Sequence, residues 1–525
     1  AYSRQPRRLH AAMERLQRAE ERLRLSEPQA WLERSPSLPT GMSVSLEAMI
    51  TVSEQQLDEQ ARLALRSLAV FPAKPNTFSE EAALAVCQVP SETLDILNDA
   101  GLLQSSGPGR YTLHQTIADY ANIHLADAAP HGGRPQGSPL QLQSGRKEYE
   151  RLIDYFADYV ETHEKNHDAL AQEATNIFAA LQAAFERGYP KALIRMVTGF
   201  ARFLETRGLF DQAEHHLQQA QQAATSLHDT TGLATTLFFR GEMAEKHGHY
   251  SQAEKYLQEG LALARQAGDH ARVSDILRLL GVVASRRGDY VQEEVYLQEG
   301  LALARQLNDS ERISGQLRSL GVHAVNQGNY AQAEAYFQEG LALARQAGDL
   351  ANISVLMSNL GHVASALGNY EQAGAYLQEG LALARQAGHR QHESVLLATM
   401  GELAMQQGNY TQAEVYLQEG LTIARQIGHA WFVSVMLIGW GELHLKQGQV
   451  DAAHIALEEA LEQAPEGGKD IIADALYSFA RVALAQGNSD RARQQGQESL
   501  VIFEEIGHGK AAEVRQWLST LPEVG

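Results

Sequence analysis

Histidine pairs at helical spacing are the first residues in this 525-residue chain whose arrangement could support chemistry. His163 and His167 lie four residues apart, and His389 and His392 lie three apart. Both spacings place two imidazoles on one helix face, where they could clamp a metal ion. Neither pair has a cysteine or a third ligand nearby, and a chain with 20 histidines contains such pairs by chance. We therefore expect no metal site.

Glycine-rich segments that could hold a phosphate are also incomplete. Gly467-Gly468-Lys469-Asp470 and Gly507-His508-Gly509-Lys510-Ala511 lack the glycine spacing and the hydroxyl residue of a Walker A loop. The sequence contains no G-x-S-x-G or H-E-x-x-H motif either. It therefore predicts that this chain is not itself an enzyme and has neither catalytic residues nor a cofactor of its own.

Three arginines suggest binding rather than catalysis. Arg278 and Arg318 lie 40 residues apart, and Arg286 lies close to the first of them in sequence. Guanidinium groups form paired hydrogen bonds with carboxylates and phosphates. This spacing would therefore suit a partner that carries one of these groups.

The elements that must position these arginines repeat every 40 residues from Arg240 onward. Each repeat contains a glycine followed two residues later by tyrosine and then a near copy of QAExYLQEGLALARQ; these glycines are Gly248, Gly288, Gly328, Gly368 and Gly408. The apolar positions of each copy keep to one helix face, and a second amphipathic stretch precedes each glycine. Glycine at this junction can adopt the positive φ that ends a helix. Each unit is thus predicted to be helix–turn–helix, and the stacked units an all-α solenoid.

The repeated residues resemble the tetratricopeptide repeat (TPR) signature. Its spacing is matched by Leu280-Gly281, Gly288, Tyr290, Tyr296 and Leu301. The period of 40 exceeds the usual length of about 34, and Arg305 and its equivalents replace a proline near the end of the second helix. The resemblance implies a TPR α-solenoid with a right-handed superhelix over residues 147–525. We expect about eight units from residue 190 to 507 and helical caps at both ends.

Variation between the repeats indicates where a ligand would bind. The second helices are almost identical, whereas the first helices differ strongly. In TPR arrays the first helices line the concave groove, so the resemblance implies that the variable positions face a ligand. The alternative is neutral drift of solvated residues after duplication. The predicted groove residues are Phe238, Glu242, Asp275, Arg278, Arg286, Arg318, His362, Glu402, Glu442 and Tyr477.

Residues 41–127 follow a different pattern. An apolar helical stripe ends before Pro72, Ser79 and Ser91 are predicted N-caps of two short helices, and a β-hairpin is expected to turn at Gly107-Pro108-Gly109. A further helix follows the hairpin. Three helices and a hairpin are the parts of a winged helix, and the acidic residues of its third helix argue against DNA recognition.

The order of these elements resembles the winged-helix domain of bacterial STAND (NB-ARC-type) signalling NTPases. Leu113-His114-Gln115 falls where that family carries a Met-His-Asp motif, whose histidine contacts the β-phosphate of bound ADP; only the histidine is kept. Residues 1–40 resemble the end of the helical domain that joins the NTPase core to the winged helix. The resemblance implies that the core, with its ADP or ATP and Mg, lies upstream and is absent from this chain.

Composition limits the remaining functions. The chain has 44 basic and 64 acidic residues, and its formal charge of −20 argues against a general nucleic-acid-binding surface. The single cysteine, Cys87, favours a reducing, cytoplasmic location. No apolar run is long enough to cross a membrane. Residues 128–146, rich in Pro, Gly and Ser, are predicted to be a flexible linker.

Two hypotheses for function follow from these patterns. In the first, a protein or small effector binds the TPR groove, and the winged helix couples its binding to the NTPase core in cis, with oligomerisation on activation as an option. In the second, the array is a constitutive scaffold that joins proteins without nucleotide coupling. The sequence favours the first hypothesis because the resemblance covers both the array and the segment before it.

Overall fold

A computed structural model describes residues 46–127, 145–465 and 467–521. The chain divides into two compact units, residues 1–203 and residues 204–525. The segment 1–40 lies outside the described residues, as does all of the predicted linker except Gly145 and Arg146. Each unit is described below by itself.

The first unit begins with short helices and a small sheet. Among its described residues, the helices are α1 (Leu46–Gln55), α2 (Glu59–Ser67), α3 (Glu80–Cys87), α4 (Ser91–Asp99) and α5 (Gln115–Asp127). The strands β1 (Phe78–Ser79), β2 (Gln104–Ser105) and β3 (Arg110–Thr112) form an antiparallel sheet in the order β1-β3-β2. Phe78 pairs with Tyr111, and Gln104 pairs with Thr112. The hairpin expected around Gly107-Pro108-Gly109 is therefore present.

Local capping explains where two of these helices begin. The Ser79 side chain accepts a hydrogen bond from the Ala82 N–H at 3.2 Å, as expected of an N-cap. The same expectation for Ser91 is wrong. Pro90 occupies the N-cap position, and Ser91 is the first helical residue.

Two longer helices follow within the first unit, and the second of them packs against the sheet. They are α6 (Arg146–Thr162) and α7 (His167–Arg187). Arg110 of β3 forms an ion pair of 2.6 Å with Glu173 of α7, which is only 1% exposed, and Asn176 donates a hydrogen bond of 2.9 Å to the Thr77 carbonyl. The helical pair expected to start the array is thus tied by buried polar contacts to the small domain before it.

Helical pairs continue to the end of the described chain. They are α8 (Pro190–Thr206) with α9 (Phe210–Leu227), α10 (Thr230–Lys246) with α11 (Tyr250–Ala267), α12 (His270–Arg286) with α13 (Tyr290–Gln306), α14 (Ser310–Asn326) with α15 (Tyr330–Ala347), α16 (Leu350–Ala366) with α17 (Tyr370–Gln386), α18 (Arg390–Gln406) with α19 (Tyr410–Ile427), α20 (Ala430–Lys446) with α21 (Val450–Glu462), and α22 (Lys469–Ala485) with α23 (Ser489–Glu505); α24 (Lys510–Ser519) follows. The helices from Thr230 to Lys446 recur with the 40-residue period of the sequence. The fold is an all-α TPR solenoid.

Periodic residues set the boundaries of these helices. Asp269 and Asp309 accept hydrogen bonds from the third backbone N–H of the helix that follows them, at 2.9 and 3.0 Å, and so cap two successive first helices. Between the helices of a pair, Gly288 has a φ of +75°, a conformation that side-chain-bearing residues rarely adopt. The positive φ expected at this junction is confirmed.

A ladder of ion pairs joins successive second helices. Arg265 pairs with Glu299 at 2.5 Å, and the equivalent pairs are Arg305–Glu339, Arg345–Glu379, Arg385–Glu419 and Arg425–Glu459. Because these side chains are about half exposed, each pair contributes little stability, of the order of 0–1 kcal/mol. The ladder explains why arginine stands where other TPRs carry proline.

In the six pairs from α10–α11 to α20–α21, a glycine of the first helix allows close contact with the second. A Cβ on Gly321 would lie 2.3 Å from Cε1 of Phe337, and Gly281, Gly361 and Gly401 face leucines in the same way. Gly374, by contrast, has open space around the position of a Cβ. The two kinds of glycine offer a direct test of this packing.

We expect Gly321→Ala to lower the free energy of unfolding by about 1–3 kcal/mol, because the Phe337 ring must move in a packed core. Gly374→Ala should raise it by about 0.5–1 kcal/mol, since alanine favours a helix over glycine. Urea denaturation followed by circular dichroism measures both. Equal effects of the two substitutions would contradict close packing at Gly321.

Candidate functional site

The predicted groove residues lie on one face of the first helices of the second unit. On α12 this face contains residues 275, 278, 282 and 286, whose spacings of three and four place them on one side of the helix. Together with their equivalents on α10, α14, α16, α18, α20 and α22, they are called the inner stripe. Nine of the ten predicted residues are half-buried or buried there, and the tenth, Phe238, is fully buried.

Direct contacts between neighbouring first helices make the inner stripe continuous. Asp275 of α12 accepts hydrogen bonds of 3.0 and 3.1 Å from Arg312 of α14. Near the other end of the array, Glu442 of α20 forms an ion pair of 3.2 Å with Arg481 of α22. These contacts fix the positions of Asp275 and Glu442, which sequence reasoning placed in the groove without a partner.

The second unit also turns back on itself. A Cβ on Gly248 would lie 2.3 Å from Cβ of Pro465, and one on Gly288 would lie 2.3 Å from a methyl carbon of Ile506. The Gly509 N–H donates a hydrogen bond of 2.7 Å to the Asn326 carbonyl. These contacts join residues of distant repeats and are called the inter-turn seam. A cleft of about 790 Å³ runs along the seam.

The seam buries charged side chains that no sequence pattern predicts to lie together. Lys246, at the end of α10, pairs with Glu205 and also approaches Gln391 of α18 at 3.4 Å. Burial lowers the pKa of Lys246, but the nearby carboxylates of Glu205 and Glu242 outweigh it and raise the pKa overall. The lysine is therefore held in its charged form inside the unit.

A second seam cluster is built around Arg286. Its guanidinium lies 3.7 Å from the centre of the Trp431 ring and 3.6 Å from a carboxylate oxygen of Glu245. The Trp431 indole N–H donates to Asp470 at 3.2 Å. Burial raises the pKa values of Glu245 and Asp470, and Arg286 opposes both shifts. Arg286, predicted to face a ligand, thus contacts another turn of the array.

The inner stripe has Arg278 and Arg318 towards one end and Glu402 and Glu442 towards the other, and each end also contains a charge of the opposite sign, Asp275 and Arg481 respectively. Arg278 and Arg318 are half-buried neighbours on α12 and α14. Four repeats of the array then place His362, Glu402 and Glu442 at one equivalent register, followed by Arg481. Burial lowers the pKa of His362 to about 4 and raises that of Glu402 to about 7.

The closing helix supplies a cation to the acidic end. The Lys510 ammonium of α24 lies 2.6 Å from Asp474, and the carboxylates of Glu442 and Glu402 also raise its pKa. The same ammonium lowers the pKa of Glu402 and His362. Sequence reasoning predicted α24 only as a cap and missed Lys510, because nothing in the 40-residue period marks it.

The aromatic members of the predicted groove are covered. Phe238 is 0% exposed, and the Arg272 guanidinium lies 4.9 Å from its ring centre. Tyr477 is 8% exposed and packs edge-to-face on Trp517 of α24, with ring centres 5.4 Å apart. Glu242 is 5% exposed. A ligand cannot reach Phe238 in this arrangement.

The histidines singled out for metal or nucleotide contacts make local contacts among the described residues. His163 stacks on Tyr159, and its Nδ1 lies 2.9 Å from the Tyr159 carbonyl oxygen. His389 and His392 lie side by side, but no group of three ligand residues occurs within 46–127, 145–465 and 467–521. His114 is exposed at the start of α5, where its Nδ1 lies 2.8 Å from the Thr116 hydroxyl.

Family comparisons agree with the repeat architecture. The model of the MalT-like TPR region matches residues 324–504, and a tetratricopeptide repeat model matches residues 193–266. The transcription activator GutR of Bacillus subtilis (strain 168) is 26% identical over 205 residues, which are 34% of this chain and 23% of that protein. The chain thus spans less than a quarter of the length of this relative.

Three solved structures are similar to this chain at low sequence identity. One is a STAND protein with a tetratricopeptide repeat sensor, PH0952 from Pyrococcus horikoshii: 15% identity, TM-score 0.49, covering 90% of this chain and 67% of that one. Another is NprR in complex with its cognate peptide NprX: 13% identity, TM-score 0.49, covering 68% and 98%. A third is a Rap protein complexed with Competence and Sporulation Factor: 16% identity, TM-score 0.48, covering 71% and 99%. These likenesses concern the fold alone.

None of the helices in the described ranges is both long and apolar enough to span a membrane.

His429 of the seam provides a pH test of the buried arrangement. Its side chain is 3% exposed at the N-cap of α20, and burial, followed by the charges of Lys246 and Arg286, holds its pKa well below the usual value. The unfolded chain therefore binds a proton at a pH at which the folded chain does not. Stability is lost as pH falls below about 6.5.

We expect His429→Asn to remove this loss, because asparagine does not titrate and suits an N-cap. As the pH falls from about 7 to about 5, the unfolding free energy of the variant minus that of the wild type should increase by up to about 1.4 kcal/mol per pH unit. Urea denaturation at each pH measures the difference. The exposed His270→Asn serves as control, and the same pH trend in both variants would argue against burial of His429.

Proposed function

We propose that the TPR array is the sensor of a regulatory protein and that its inner stripe binds a protein or peptide effector. The strongest support is that some positions recur from repeat to repeat and others do not. Packing glycines, caps and the outer ion-pair ladder repeat from unit to unit, whereas the inner-stripe residues change in charge and size. A surface that contributed only to packing would have no reason to differ from repeat to repeat.

The proposal extends to the segment before the array. Residues 41–127 act as a winged-helix domain that couples effector binding to a nucleotide-binding core of the STAND type, carried by a longer protein and loaded with ADP or ATP and Mg. The exposed imidazole of His114 is available to contact a nucleotide phosphate from such a core. A cytoplasmic location and a role in regulation, as in the partly matching transcription activator, agree with this function.

Coupling requires a difference in affinity between two states. An effector that binds the closed and open arrangements equally well shifts nothing, whatever its affinity. The inter-turn seam offers such a difference, because part of the predicted groove, including Arg286, is engaged by another turn in the described state. An effector that needs Arg286 would favour the state in which the seam is open.

Binding to the inner stripe can be tested with peptides selected against the whole chain. We expect Glu402→Arg to weaken the binding of selected peptides by about tenfold or more, because it reverses a half-buried charge on the stripe. The outer-ladder variant Arg345→Glu should change binding by less than about twofold. Fluorescence anisotropy with labelled peptides gives both dissociation constants, and circular dichroism confirms that the variants fold. Peptides that bind both variants as tightly as the wild type would refute a ligand site on the stripe.

The nucleotide part has its own test in the longer protein. A selected peptide should accelerate release of bound ADP from that protein, since it favours one of two states. Identical release rates with and without saturating peptide would refute coupling. Peptide binding to the inner stripe under those conditions would then favour the scaffold.

A further inference from the structure

Two arginines of the first helices differ from all the others in the second unit. In the described helices α10, α12, α14, α16, α18, α20 and α22, six of the eight arginines form an ion pair with a carboxylate: Arg240, Arg272, Arg286, Arg312, Arg390 and Arg481. Arg278 and Arg318 form none with the described residues. They occupy the same inner-stripe register on adjacent helices.

The fold holds these two side chains close to each other. The Cδ of Arg278 lies 3.5 Å from the position that a Cβ on Gly315 would take, so the glycine makes room for the arginine beside α14. The Nε of Arg318 is inaccessible and has no hydrogen-bond partner. The rest of the Arg318 side chain is half-buried, so a ligand can still approach it from the inner side.

The surroundings supply little negative charge. Among the described acids, Asp349 favours the charged form of Arg318, and its carboxylate already caps α16 by accepting the Asn352 N–H at 3.0 Å. Burial, and then the charge of Arg278, lower the pKa of Arg318 to about 10. The guanidinium therefore stays charged at neutral pH in a place where its charge is poorly compensated.

An unpaired charge in a partly desolvated site costs stability unless something neutralises it. Guanidinium groups are planar and present parallel N–H donors that match the two oxygens of a carboxylate or phosphate. Two such groups at one register leave a concentrated anion-binding surface. Solvated arginines on the outer ladder have neither this burial nor this proximity.

We propose that Arg278 and Arg318 form an anion subsite that receives a carboxylate or phosphate group of the effector. This inference rests on the proposed binding function of the inner stripe and adds the chemical class of the group that is recognised.

The anion subsite is tested on the whole chain with inorganic phosphate and with acetate as separate probes. Isothermal titration calorimetry at constant ionic strength, with sodium chloride as the balancing salt, measures each affinity. We expect Arg318→Gln and Arg278→Gln each to weaken binding of the preferred anion by about tenfold or more. Arg345→Gln, on the exposed ladder, should leave it within about twofold. Tighter binding of phosphate or of acetate shows whether the subsite prefers a phosphate or a carboxylate group of the effector.

The thermal stability of the variants gives an independent readout that does not need a ligand. Without added anion, Arg318→Gln should melt at the same temperature as the wild type or higher, since it removes an uncompensated charge. Phosphate or acetate should raise the melting temperature of the wild type and not that of the variant. A wild type that binds neither anion, or an Arg318→Gln variant that binds as well as the wild type, overturns the subsite.

Failure of the subsite and failure of the proposed function give different results. If selected peptides bind Arg318→Gln and Arg278→Gln normally but lose affinity for Glu402→Arg, the stripe binds effectors without this subsite. If all three variants bind as the wild type does, the proposed function itself is wrong. Loss of affinity in the two arginine variants for peptides with a free carboxylate or a phosphate, but not for the same peptides amidated or dephosphorylated, supports the subsite.

Discussion

Close contact between the two helices of each pair is the constraint from which the array follows. The first-helix glycine meets the side chain 16 residues later in pair after pair, as Gly281 meets Leu297 and Gly441 meets Leu457. Because the contact leaves no room for a Cβ, it fixes the distance and angle between the helices. A fixed angle repeated with a fixed period produces a regular curve. That curve brings the first helices together on the inside and spreads the second helices, bridged only by long ion pairs, on the outside.

Much of this helical packing could be predicted from the sequence, because it depends on local patterns. The period of 40 gave the eight helical pairs, and Gly288 marked a turn between helices. Arg305, seen only as a departure from other repeats, proved to be part of the ladder to Glu339. The N-cap prediction for Ser91 was wrong because serine is favourable both at the cap and in the first turn. Pro90, which has no N–H to donate, occupies the cap position instead.

The candidate site was harder to predict, since it depends on the sum of many small rotations. The period places Phe238 and Arg278 at the same register, but Phe238 is covered and Arg278 is not. Lys510 lies far from Glu402 in sequence, and only the path of the whole unit brings its charge there. Helical periodicity therefore shows which residues share one face of each helix. It does not reveal which parts of that face another turn covers.

The inter-turn seam has a further consequence for how such an array can change during evolution. Its contacts join Gly208 to Ile427, Gly248 to Pro465 and Gly288 to Ile506, separations close to five and a half periods. A turn between the helices of one repeat therefore always faces a junction between two others. Residues such as Trp431 and Pro465 are not repeated, so gaining or losing one unit between them and their partners would match each with the wrong neighbour. Near-identical repeats are thus not interchangeable here. The seam contacts fix the number of units between each seam residue and its partner, so duplication of a unit within that interval would break them.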